Sequence, residues 1–415
     1  MNFLRFSLNF GSFIICVAYG VLGPFYPRIA ESKGISQWTI GVILSIAPIT
    51  SIPVVFLVTR YMSKIGRKLI CLGSLFLCGI SMILLCFIFL CPQTEFLIIS
   101  IISRVLYGIA AGGFWASSYA ILITEFKDNV GEVVGEMDAF IGAGMVSGPL
   151  FGTCLYMIGG AITIFITVGG VVFVSGFVTF FTLGHLKPYA QHHEKVDTLR
   201  LFIKPQIGLT AIIQFIVFDT MCFMAASMAL HLSHNGIDQE IIGVLFSVNS
   251  VCYAIGGIIF PRLLKFDKRI LMIVGLFLTG VSFCLMGPAI FLPNQVDLII
   301  ISIPLLGIAN SMTYIPSYPY MHESSLAIYG YEDSLHLSDS LSSIMNLAAL
   351  LGEATGSLGA GILVEFLDYD WSSTCMSIFV LFFTAVFLFS SKVLSEKRSP
   401  KISEDKLIYS MDTVI

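Results

Sequence analysis

Asp219 stands about fourteen residues into one long apolar stretch, and Glu353 lies at similar depth in another. A carboxylate carried into lipid loses its hydration, so its neutral form gains over its charged form. Such a group can hold a proton near neutral pH and release it when a cation arrives. That is the least chemistry needed to exchange protons for a cationic solute, and ionisable groups inside a membrane are functional candidates by default. The competing role is a hydrogen bond in helix packing, and both roles stand open for each acid. Arg104 also lies inside an apolar stretch, where it either neutralises a carboxylate or holds helix carbonyls. Asp138, Asp339 and Glu365 fall near the ends of such stretches and read as interfacial groups.

The elements that must position these residues are long apolar runs. Of the 415 residues, 56% are hydrophobic and 12% charged, against roughly 25% charged in an ordinary soluble domain. Too few charges remain to cover a water-facing surface. About twelve runs are long enough for a hydrocarbon core of about 30 Å. They fall near 6–27, 38–60, 69–91, 96–123, 137–158, 161–184, 206–231, 240–261, 270–292, 298–320, 338–364 and 372–392. With the N-terminus in the cytosol, inner loops and tails hold nineteen of the 22 Lys and Arg, and outer loops hold Arg28 and Lys33. The positive-inside rule therefore places both termini in the cytosol. The first run has no small-residue cleavage site and is expected to be a retained span. The ten cysteines sit in or beside the runs without metal-type spacing and read as small apolar fillers. His192, His193 and Glu194 lie in a polar basic segment and read as solvated, so neither a metal nor a cofactor is expected.

The chain repeats itself. Residues 34–45, GISQWTIGVILS, match residues 236–247, GIDQEIIGVLFS, at seven of twelve positions. Gly108-Ile109-Ala110 answers Gly307-Ile308-Ala309, Ser118-Tyr119 answers Ser317-Tyr318, and Gly144 and Gly148 answer Gly352 and Gly356. Several collinear matches argue for two related halves. Six spans return the chain to its starting side, so the second half keeps the orientation of the first, about an axis along the membrane normal. The expected fold is an all-α membrane protein of twelve transmembrane helices, with halves at 1–184 and 206–393, a cytosolic linker at 185–205 and a cytosolic tail at 394–415. The repeat pairs Trp115 with Tyr314 and Tyr119 with Tyr318. If these rings point inward, they offer faces for an organic cation.

This architecture, with two short motifs, resembles the major facilitator superfamily. TRYMSKIGRK at 59–68 is similar to that superfamily's gate-loop pattern G-x-x-x-D-R-x-G-R-K through Gly66, Arg67 and Lys68, with Ser63 in place of the acid. The resemblance implies a cytoplasmic latch between the halves, weakened by the missing acid; a simple basic topogenic loop is the alternative. GEMDAFIGAGMVSGPLFG at 135–152 resembles the antiporter motif G-x8-G-x3-G-P-x2-G-G. Gly135, Gly144, Gly148, Pro149 and Gly152 fall in register, and Thr153 replaces the last glycine. Glycine costs a helix about 1 kcal/mol and proline about 3. The return is a groove that admits close backbone approach in lipid and a site that permits bending. In the family the partner helix belongs to the other half, and Gly352 and Gly356 fit that pairing.

FYPRIAESKGIS at 25–36, residues 124–160, YIPSYP at 314–319 and GYEDSL at 330–335 are similar to the vesicular amine transporters, above all their polyamine branch. That resemblance implies exchange of lumenal protons for polyamines or monoamines, with spans four and ten bordering the cavity. Two departures bear on the substrate. The first span carries no acid, and Ala225 stands where the family's span-seven acid falls, six residues after Asp219. Either the cation site has moved or the substrate is not an amine. The expected function is proton-coupled antiport of an organic cation by a monomer in a lipid bilayer, with an acidic vesicle as the candidate membrane. The alternatives are transport of another small solute or a non-transporting sensor or scaffold. Nothing points to nucleic acid. No phosphate-binding loop or intramembrane-protease motif appears, so an enzyme is not expected. Leu407-Ile408 and Thr413-Val414-Ile415 give the tail only weak sorting or docking signals.

Overall fold

The computed structural model describes residues 3–126, 129–184, 198–287 and 296–396. Residues 185–197 of the expected linker, with His192, His193 and Glu194, and the tail from 397 onward lie outside the described residues. Among the described residues, ten helical stretches are long and apolar enough to cross a membrane. The N-terminal half comprises α1 (Phe3–Gly20), α2 (Leu22–Ser32), α3 (Gln37–Ile65), α4 (Arg67–Leu84), α5 (Gln93–Glu125) and α6 (Val130–Thr182). A short α7 (Thr198–Phe202) leads to α8 (Pro205–His234), α9 (Gln239–Leu263), α10 (Lys268–Met286), α11 (Val296–Ala327) and α12 (Leu335–Glu396). Helices α1 and α2 form one continuous span, Phe3–Ser32.

Two of the ten stretches are double passes. The 53 residues of α6 would reach about 80 Å as one rod, far beyond a hydrocarbon core. Non-helical backbone at Gly159 and Gly160 breaks it. Near its start, Glu132 and Glu136 both pair with Arg5 of α1; at its end, Thr182 shares a 2.7 Å hydrogen bond with Ser7 of the same helix. Both ends therefore return to one side. Helix α12 breaks at Asp368 in the same way, and Leu341 and Phe387, from its two arms, pack near the start of α8. Counted so, the described helices make the twelve passes read from the apolar pattern.

The halves repeat contact by contact. An added Cβ at Gly144 would meet the Phe13 carbonyl at 2.3 Å, and one at Gly352 would meet the Phe215 carbonyl at 2.3 Å. Gly148 lies against Val17 and Gly20 of α1, and Gly356 against Asp219 of α8. Gly108 faces the Ala47 carbonyl as Gly307 faces that of Asn249. Phe13 and Phe215, Val17 and Asp219, and Ala47 and Asn249 are each 202 residues apart. The breaks correspond too: Gly160 has φ 71 and Asp368 has φ 61.

One set of contacts joins the halves at the end that carries the α2–α3 and α8–α9 turns. Gly34 (φ 76) and Gly236 (φ 80) turn the chain there, and Gln37 and Gln239 open the helices that follow. Gln37 Nε2 donates to the Ala226 carbonyl at 2.9 Å, while Gln239 Nε2 donates to the Pro24 carbonyl at 2.7 Å. Pro24 and Ala226 are themselves 202 residues apart, so the bonds are reciprocal. Around them Arg28 reaches Gln239 at 3.3 Å, Glu31 meets His234 at 2.5 Å, and the Trp38 amide donates to Glu365 at 3.2 Å. Gly41 lies against Gly361, and Gly243 against Thr153.

Asp368 holds a backbone conformation that glycine occupies in the other half and that costs an L-residue about 1–3 kcal/mol. Asp368→Gly is expected to raise the melting temperature in detergent, and an unchanged or lower value contradicts the strain. Removing both glutamine donors, Gln37→Ala with Gln239→Ala, deletes two hydrogen bonds of about 1 kcal/mol each. This double variant is expected to increase maleimide labelling of a cysteine placed at Ala225, which packs on Gly23 across the joint.

Candidate functional site

Beyond the joined end, α1, α8 and α12 bring a group of polar side chains together. Gly352 and Gly356 let α12 approach α8 closely enough for Thr355 Oγ1 to donate to Asp219 Oδ1 at 2.6 Å. Asp219 is 6% exposed. One turn on, Cys222 Sγ and the Tyr19 hydroxyl are 3.4 Å apart, a contact from α8 to α1. Gly352, beside Glu353, lies against the Asp219 backbone, where an added Cβ would meet the Asp219 amide nitrogen at 2.9 Å. The two candidate acids therefore stand on the packed stretches of α8 and α12. This pocket can hold a proton, or a cation ringed by hydroxyl, thiol and carboxylate groups.

Arg104 closes one flank. It is 2% exposed, its Nη2 donates to Ser103 Oγ at 3.3 Å, and its guanidinium lies 5.3 Å from the Tyr107 ring centre. Tyr107 stacks on Tyr19 at 6.0 Å and donates to the Ile15 carbonyl at 2.9 Å. Among the described residues Arg104 forms no ion pair, so it neutralises neither acid directly. It is linked to the acids through two stacked tyrosines.

The four aromatic candidates separate. Tyr119 donates to Asp138 Oδ1 at 2.5 Å, and Tyr314 lies against the rings of Phe218 and Tyr253 at 6.0 and 6.4 Å. Trp115 instead packs edge-on against Phe114 at 5.5 Å, and Tyr318 stacks on His322 at 6.1 Å. Asp138, read as interfacial from its position near a span end, is exposed and accepts the hydrogen bond from Tyr119.

The glycine motif packs within its own half, not against the other. Gly144, Gly148 and Gly152 meet Phe13, Gly20 and Phe25 of α1 and α2, and Gly352 and Gly356 meet α8. Pro149 leaves the Met145 carbonyl without its usual amide donor, and that carbonyl faces Gly20, where an added Cβ would lie 3.2 Å from it. Gly135 contacts nothing within 4 Å of an added Cβ. The cross-half contact from this segment is made by Thr153, the residue that departs from the motif. In the gate loop, Gly66 (φ 94) turns the chain; Arg67 Nη1 donates to the Ala120 carbonyl at 3.1 Å and its Nη2 lies 3.7 Å from Glu125; Lys68 donates to the Leu183 carbonyl. These bonds place cations on the carbonyl ends of α5 and α6 in the same half, where helix dipoles favour them.

Tyr19, Cys222, Thr355 and the two glutamines were not singled out from the sequence. The glutamines did carry a signal, since Gln37 and Gln239 are identical positions in the repeat.

Comparison with known proteins agrees with this architecture. The sequence model of the Major Facilitator Superfamily matches residues 8–325 and, separately, 207–410. The mouse protein named MFS-type transporter SLC18B1 (Mus musculus) is 26% identical over 384 residues, covering 90% of this chain and 82% of its own. The human synaptic vesicular amine transporter (Homo sapiens) is 24% identical over 328 residues, covering 75% of this chain and 58% of its own. Among solved structures, a bacterial homologue of the human lysosomal transporter Spinster, inward-facing and occupied, superposes with a TM-score of 0.72 at 14% identity, over 94% of this chain and 96% of that one. The nucleoside transporter NupG gives 0.70 at 13% identity, over 94% and 98%.

The packing separates the glycines into tight and open positions. Gly356→Ala would drive a methyl to 2.1 Å from the Asp219 carbonyl and is expected to destabilise by about 1–3 kcal/mol. Gly135→Ala meets open space and is expected to leave stability unchanged or raise it by up to about 1 kcal/mol. Thermal melts of the two variants check this contrast.

Proposed function

The chain belongs to the Major Facilitator Superfamily, and on that premise we propose that this transporter exchanges protons for an organic cation, a polyamine or monoamine, by alternating access. Glu353 and Asp219 are the proton and cation sites. The observation that supports the reading is the packing of α12 on α8 at the two acids, where Gly352, beside Glu353, meets the Asp219 backbone and Thr355 donates to Asp219 at 2.6 Å. A carboxylate there is neutral when it holds a proton and paired when it holds a cation. Either way the site crosses the membrane without an unpaired charge, which the bilayer penalises. The contacts at the turn-bearing end fit one of the two states that exchange requires; rocking of the halves about the site produces its counterpart. The vesicular amine relative supports an acidic vesicle as the host membrane, and the distribution of Lys and Arg supports cytosolic termini.

Reconstitution into vesicles with an acidic lumen tests the reading. Uptake of radiolabelled spermidine or serotonin is expected to follow the proton gradient and to collapse with a protonophore. Asp219→Asn together with Glu353→Gln is expected to abolish gradient-driven uptake. Uptake that ignores the gradient, or that survives the double substitution, refutes proton exchange at these acids.

A further inference from the structure

One contact between the halves pairs an acid with an imidazole. Glu31 lies in the last turn of α2, and His234 ends α8, each just before a glycine that turns the chain. His234 Nε2 and Glu31 Oε1 are 2.5 Å apart. Each group is anchored within its own half. Lys33 Nζ donates to the Phe89 and Cys91 carbonyls at 3.2 and 2.9 Å, which holds the end of α2. Asn235 Nδ2 donates to the His231 carbonyl at 2.9 Å, which closes the end of α8. The pair therefore breaks when the halves part at this end. The His234 and Glu31 side chains are 64% and 37% exposed, so protons from the solution on that side reach them. Neighbouring charged groups face other partners. Arg28 donates to Gln239, Glu365 accepts from the Trp38 amide, and His231 stacks on Tyr369 with Asp370 Oδ1 3.9 Å from its Nε2. Among the described residues, the remaining acids on this side of the bundle are Glu95, Asp238, Glu240, Asp297 and Asp368.

An imidazole is the side chain whose ordinary titration falls between pH 5 and 8. Protonated, His234 makes the contact an ion pair; neutral, it leaves a hydrogen bond alone. The contact exists only while the halves meet, so the joined state holds the proton more tightly and acid favours that state. The added stabilisation is complete below the imidazole range and is lost as pH rises through it. An exposed pair is weak, but few bonds join this end, so a weak one shifts its balance severalfold. We propose that Glu31 and His234 form a proton-operated latch across the halves, which holds the turn-bearing end shut while the solution on that side is acidic and releases it near neutral pH. This inference rests on the alternating-access reading above and on neither Asp219 nor Glu353. With cytosolic termini the latch faces the lumen of an acidic vesicle, so the proton that drives exchange also closes the side from which it came.

Maleimide labelling of the full-length Ala225→Cys protein in lipid nanodiscs tests the latch, read at that residue by mass spectrometry. Ala225 packs on Gly23 across the joint. Labelling is measured at about pH 5.5 and about pH 8, which bracket the imidazole range. Comparing each variant with its parent at the same pH cancels the ionisation of the thiol itself. His234→Gln keeps a donor for Glu31 and removes the titration, so the fold is expected to survive. It is expected to raise labelling about twofold to fivefold at the acid pH and to leave it nearly unchanged at the alkaline pH. Glu31→Gln is expected to do the same, and the double variant no more than either alone. The exchanged pair, Glu31→His with His234→Glu, is expected to restore the parent response. Equal labelling of His234→Gln and its parent at the acid pH overturns the latch, as does an equal rise at both pH values, which marks a contact without titration. Gradient-driven spermidine uptake by the parent separates the two readings. Uptake intact with no labelling contrast overturns the latch alone; a labelling contrast without any uptake overturns proton exchange and leaves the pH-dependent joint standing.

Discussion

Two side-chain amides hold the halves together at one end. Gln37 reaches from α3 to the Ala226 carbonyl, and Gln239 reaches from α9 to the Pro24 carbonyl. Each bond contributes only about 1 kcal/mol, because the donor and acceptor exchange water for one another. Their position matters more than their strength. They lie where Gly41 meets Gly361 and Gly243 meets Thr153, so backbone and small side chains close the joint tightly. A joint made of weak, well-placed bonds can open without breaking either half.

Each half, by contrast, is stiffened internally. The glycine seams of α6 and α12 grip α1–α2 and α8, and the gate-loop cations bind the carbonyl ends of α5 and α6. Helices in lipid gain little from burying apolar surface, so close backbone approach and captured carbonyls supply rigidity. A motif expected to form the moving seam therefore serves the solid body on one side of it. The cross-half contacts described above stand apart from these seams, at the reciprocal glutamines.

Symmetry lays out the scaffold, and departures from it carry the chemistry. Val17 occupies in the first half the place that Asp219 occupies in the second, 202 residues on. Met145 corresponds to Glu353, and Asp138 to Asn346, at an offset of 208. The acids that line the cleft thus have apolar or neutral counterparts. A duplicated bundle with identical linings would offer the same chemistry twice; here each half adds its own carboxylate at a different depth.

Hydropathy, charge bias and the repeat were enough to read twelve passes and two parallel halves, because those properties follow from what lipid demands of every apolar residue in turn. The depth of Asp219 and Glu353 was legible for the same reason. Their common neighbourhood was not, since it depends on α8, α12 and α1 meeting in three dimensions. The partner of the glycine motif was misread on the same ground: spacing shows that a helix carries a groove, whereas only packing selects the helix that fills it. Asp138 reads as interfacial by position along the chain, and its hydrogen bond from Tyr119 depends on how α5 and α6 pack. Sequence by itself determined the spans, their orientation relative to one another and the buried charges, all local consequences of composition. Tertiary structure alone decided which surfaces meet, because close contact between helices depends on a few ångströms of backbone approach that no single segment encodes.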